Sequence, residues 1–138
     1  MALIDPASWD RAALRDGISV AALGALPFGV IGRLLVGDDG NGGVLALFTV
    51  LVLVALVLGA GVAAWRQRVG RPLSHGMATA LATYAAVQAV GLARKVLTSS
   101  DIRWGLIVSS LLLSLMAGTL GGLLGGYLQS KGVTSRRP

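Results

Sequence analysis

Residues 106–128 read LIVSSLLLSLMAGTLGGLLGGYL, 23 positions without a charge. A helix rises ~1.5 Å per residue, so this stretch is long enough to cross a bilayer core of roughly 30 Å. Ser110, Ser114, Gly118, Gly122 and Gly126 recur at four-residue steps, and Ala117, Gly121 and Gly125 make a second row beside them. Four-residue steps keep to one helix face, so this helix carries a groove nearly bare of side chains. Lipid supplies little hydrophobic drive between helices. Small residues instead let two backbones approach closely, and dispersion and weak hydrogen bonds then hold them. The groove, with Gly121 and Gly125 beside it, is therefore expected to be a docking face for a partner.

The rest of the chain agrees with a membrane setting. Of the 138 residues, 54% are hydrophobic and 13% charged, a balance too apolar for a soluble domain of this length. There is no cysteine, which excludes disulfides, thiolate catalysis and cysteine metal sites. There is no Glu either. The six acids are Asp5, Asp10, Asp16, Asp38, Asp39 and Asp101, all outside the apolar stretches. The net charge of +6 sits at the ends of those stretches. Inside-positive loops and anionic lipid explain it there, with no need for nucleic acid.

Four apolar stretches separated by charged or glycine-rich breaks predict an all-α integral membrane protein. The expected organisation is an interfacial segment over 1–16, a four-helix transmembrane domain over 17–130, and a basic tail over 131–138. The spans fall at about 17–36, 44–65, 75–97 and 103–129, arranged as two hairpins. Asp5-Pro6 reads as a cap with proline at the first helical position. A short helix over 6–16 then sets Trp9 on one face and Arg11 and Arg15 on another, the pattern of a helix lying along the membrane surface.

Gly17, Ala21, Ala25 and Gly29 give the first span its own small-residue stripe, suited to pack on the last span. Pro27 predicts a kink there, and Arg33 lies within a turn of its end. The turn GDDGNGG at 37–43 reads as solvated, without the ligand spacing of a calcium loop. The second span is dense in Leu and Val and ends at Trp65, a position for an interfacial aromatic. RQRVGRPLSH at 66–75 is a basic loop, with Arg66, Arg68 and Arg71 facing lipid headgroups and Ser74 as the expected cap of the third helix. The lone histidine, His75, has no companion ligands in sequence and reads as structural.

The third span carries Thr79, Thr83, Tyr84 and Gln88 near mid-depth. Polar side chains there turn away from lipid, where their hydrogen bonds would go unmade. The expected role is glue between helices, with the Gln88 face also a candidate contact for a partner subunit. Arg94 and Lys95 close this span, Asp101 is the expected cap of the fourth, and Trp104 marks its interface.

The N-terminal segment, the middle loop and the tail carry Arg11, Arg15, Arg66, Arg68, Arg71, Lys131, Arg136 and Arg137. Arg33, Arg94, Lys95 and Arg103 lie on the other side. Eight against four places both termini in the cytoplasm. The Arg-, Ala-, Gly- and Val-rich composition suggests a bacterial chain and hence the plasma membrane. Paired acids, an activated nucleophile or grouped metal ligands are not recognisable, so neither an enzyme nor a bound cofactor is expected. The leading expectation is an accessory or structural subunit of a larger bacterial membrane complex (respiratory, transport or envelope-building), partnered by larger membrane subunits and anionic lipid. The alternative is a homo-oligomeric pore or small-solute carrier, including a holin-like one, with Thr79, Thr83, Tyr84 and Gln88 lining the path.

Overall fold

The computed structural model describes residues 9–36, 41–97 and 104–133, without the side chains of Arg33, Val36 and Arg94. Four helices account for almost all of them: α1 (Arg11–Val36), α2 (Gly42–Arg66), α3 (Pro72–Leu97) and α4 (Trp104–Ser130). Each is long and apolar enough to cross a membrane.

The helix ends follow local chemistry. Asp10 caps α1, its Oδ1 accepting the Ala13 N–H at 3.0 Å. Arg11 to Asp16 are the opening turns of α1, continuous with the span, where a separate surface helix was expected. The proposed Asp5-Pro6 cap lies outside the described residues. The α1 helix runs on through Pro27. Asn41 caps α2 by accepting the Gly43 N–H, so that helix starts before residue 44. Ser74 is not a cap, because α3 begins at Pro72. Proline's fixed φ and missing N–H suit the first helical position, and the preceding Arg71 N–H bonds Gln67 Oε1 at 3.1 Å. Gly132, at φ 73°, ends α4. Its N–H donates to the Gln129 carbonyl at 3.0 Å and that of Val133 to the Leu128 carbonyl at 3.2 Å. These are the two bonds of a Schellman cap. Residues 131–133 are thereby tied to the helix, although the expected tail began at 131. Asp101, Arg103 and residues 134–138 lie outside the described residues, as do Asp38 and Asp39.

The interior is built from small residues. Ala13, Ala21, Ala25, Ala55, Ala60, Ala63, Ala64, Ala80 and Ala117 are buried, with Leu56 the one large aliphatic among them. The bulky residues of α4 (Leu112, Met116, Leu120, Leu123, Leu124) point outward. A soluble bundle sorts its residues the other way. In lipid, leucine outside costs nothing, and small residues inside let backbones meet.

The register follows from these contacts. The α1 and α2 helices run antiparallel, Gly17 meeting Gly59 and Ala63, Gly24 meeting Ala55, and Gly32 meeting Phe48. The α3 and α4 helices are also antiparallel, Gly126 lying on Pro72, Gly122 on Leu73, and Gly118 on Met77 and Ala80. The α2 and α4 helices run parallel, Gly121 against Val57, Ala60 and Gly61, and Gly125 against Gly61, Ala64 and Trp65. The α1 stripe, expected to face the last helix, packs on α2 instead. Extensive contact links α1 with α2 and α3, and α4 with α2 and α3, leaving α1 and α4 at opposite corners.

Candidate functional site

The glycine rows of α4 are filled by this chain itself. Gly118, Gly121, Gly122 and Gly125 are buried. A Cβ on Gly118 would lie 2.8 Å from that of Ala80. One on Gly76 would lie 2.7 Å from the Gly118 carbonyl oxygen and from the Gly122 Cα. The row through Gly118, Gly122 and Gly126 faces α3, and the row through Ala117, Gly121 and Gly125 faces α2. Where a docking face for a separate subunit was expected, these glycines pack on α2 and α3 of the same chain.

Toward the loop at 67–71 the bundle is closed by a polar cap. Gln67, 2% exposed, donates from Nε2 to Gln129 Oε1 at 3.0 Å and accepts the Val69 and Arg71 N–H groups at Oε1. Gln129 Nε2 donates to the carbonyls of Trp65 and Gln67 at 2.9 and 2.7 Å. His75 is fully buried. Its Nδ1–H donates to the Arg71 carbonyl at 2.9 Å, and Nε2 accepts the Asp10 N–H at 3.0 Å. One donor and one acceptor define the neutral imidazole. The Trp9 ring lies against it, centroids 5.1 Å apart. Asp10 also accepts the Arg68 N–H through Oδ2. Arg66 pairs with Asp16 at 2.7 Å, and Trp65 Nε1 donates to the Val133 carbonyl. Arg66 and Arg71 are half-buried in this cap, while Arg68 is exposed.

The intramembrane polar residues split into two groups. Thr79 and Thr83 are buried within the bundle, Thr83 Oγ1 donating to the Thr79 carbonyl. Thr79 Oγ1 is buried without a partner. Tyr84 and Gln88 join α3 to α4. The Tyr84 hydroxyl donates to the Ile107 carbonyl at 2.7 Å and lies 3.1 Å from Ser110 Oγ. Gln88 Nε2 donates to Tyr84 at 2.7 Å and Ser110 at 3.1 Å. Ser114 is buried and donates to the Ser110 carbonyl. Lys95 is half-buried and Trp104 exposed at the far end. The side chains of Arg33 and Arg94 lie outside the described residues.

Beside this polar wall the four helices part around a crevice of about 150 Å³. Phe28, Phe48, Leu53, Leu56 and Val87 form its apolar sides, and Tyr84, Gln88, Ser110 and Ser114 its polar wall. Among the described residues no three His, Cys, Asp or Glu side chains converge as metal ligands.

Sequence reasoning did not find Gln67, Gln129 or Asp10 as a unit, nor Phe28 and Phe48 as walls. The one available signal was the glutamine just beyond α2 and the one in the last turn of α4. The chain matches no family model, and no curated protein or solved structure is significantly similar to it.

Proposed function

We propose that this chain is a non-catalytic accessory or structural subunit of a larger membrane protein complex. It would sit in a bacterial plasma membrane as two helical hairpins with both termini cytoplasmic. The supporting observation is on α3. Ala82 and Ala86, and Ala85, Ala89 and Ala93, recur at four-residue steps and are all exposed. They lie opposite the face that holds Thr83, Tyr84, Val87 and Gln88. A lipid-facing helix has no need of so many small residues. A flat alanine surface suits close approach of another helix, and with the α4 rows occupied it is the docking face left over. Arg11, Arg15, Arg66, Arg68, Arg71 and Lys131, toward the Asp10–His75 end, support the orientation. The Trp9–His75 end then lies at the cytoplasmic headgroup layer, where Arg68 meets anionic lipid.

The crevice lends some support to the second reading, a homo-oligomeric pore or small-solute carrier, because Tyr84 and Gln88 line it. Purification at native levels in mild detergent, followed by mass spectrometry, separates the two. The subunit reading predicts stoichiometric recovery of a larger membrane protein. Recovery of a discrete homo-oligomer that makes liposomes leaky would replace it with the pore.

A further inference from the structure

The crevice has a chemistry of its own, independent of any partner. It lies where α2 and α4 diverge. The close approaches of α4 glycines to α2 fall at Gly121 and Gly125, against Val57–Trp65. The crevice is lined by the other halves, Leu45 to Leu56 of α2 and Ser110 to Ser114 of α4. Leu45, Thr49 and Leu113, which help line it, are exposed, so it opens to the outer surface of the bundle.

Its wall carries no formal charge. Its hydroxyl hydrogens have backbone acceptors. Thr49 donates to the Leu45 carbonyl, Ser114 to that of Ser110, and Tyr84 and Ser110 both reach that of Ile107. The amide hydrogens of Gln88 go to Tyr84 and Ser110. What the wall has left to offer is acceptors, chiefly Gln88 Oε1, which no other described residue bonds. A carbonyl in an apolar setting is costly to leave unmatched. An occupant therefore gains by bringing a hydrogen-bond donor and gains nothing from a further acceptor. Phe28, Phe48 and Tyr84 supply aromatic faces, and a cavity of ~150 Å³ holds one benzene-sized ring.

We propose that this crevice binds the ring of a neutral, membrane-dissolved phenol, its hydroxyl donating to Gln88 Oε1. The test uses the full chain in lipid nanodiscs and two photoreactive probes, a diazirine-bearing phenol and its methyl ether. The ether matches the phenol in shape but lacks the donor. The expected result is saturable labelling of the segments around Phe28, Phe48 and Leu113, displaced by plain phenol and about tenfold stronger for the phenol than for the ether. Gln88→Leu should bring the two probes level, and Thr49→Trp at the rim should reduce both, with helicity by circular dichroism unchanged. Equal labelling by phenol and ether in the wild-type chain, or labelling spread over the outward leucines, would overturn the proposal.

Discussion

The two halves of this bundle are made of similar residues and packed in opposite ways. Toward the 67–71 loop, glycine and alanine bring α2, α3 and α4 backbone to backbone, and a cap of buried amides, Asp10 and His75 closes the end. Toward the Asn41 end the same helices part, and Gly29 has only ordinary contacts, 3.6 Å from Val87 Cγ1 and 3.9 Å from Val52 Cγ2. Glycine content alone does not set packing density. Gly125 meets Gly61 and Ala64, and Gly32 sits as close on Phe48, whereas Gly29 meets only the methyls of two valines at ordinary distance. One half is closely packed, and the other parts around the crevice.

That contrast breaks most readily at Gly76. Its missing Cβ faces backbone atoms of Gly118 and Gly122, which cannot swing aside. Gly76→Leu should cost more than ~3 kcal/mol, above the usual range for overpacking, and abolish the folded state in mild detergent. The readout is detergent-induced unfolding followed by circular dichroism. Gln67→Ala comes next. It strands the Val69 and Arg71 N–H groups and unmakes the tie to Gln129, a loss of about 1–3 kcal/mol. The fluorescence of Trp65, beside that cap, should report an earlier transition. In the open half, Gln88→Leu removes hydrogen bonds across α3 and α4 for about 0.6–2 kcal/mol, since the unfolded state in a membrane also finds partners. Gly29→Ala should be the mildest, within ~0.5 kcal/mol, because the added methyl meets Val87 and Val52 only at ordinary van der Waals distance. A Gly29→Ala cost equal to that of Gly76→Ala would erase the distinction between the halves.

Four helices long and apolar enough to span a membrane were legible because length and apolarity are properties of a stretch by itself. Tyr84 and Gln88 bond Ile107 and Ser110 of α4; a polar group at mid-depth has few places to go, but periodicity does not say which helix meets it. The owner of the glycine rows was not legible. Periodicity reveals that a face is small but not which helix fills it, and here α2 and α3 of the same chain do. The exposed alanines of α3 drew no notice for a related reason: alanine is an ordinary helix former, and its exposure appears only once the bundle is assembled. The Gln67–Gln129 pair, 62 residues apart in sequence, carries no local signature at all.

On the proposed subunit reading, the α4 glycines serve the fold while the α3 alanines serve a partner. The most direct measurement compares Gly118→Leu/Gly122→Leu with Ala85→Leu/Ala89→Leu, scoring folding in detergent and co-purification of a partner in the same samples. The glycine pair should fail to fold. The alanine pair should fold normally and come out alone. A glycine variant that folds normally yet loses its partner, beside an alanine variant that keeps it, would contradict the account.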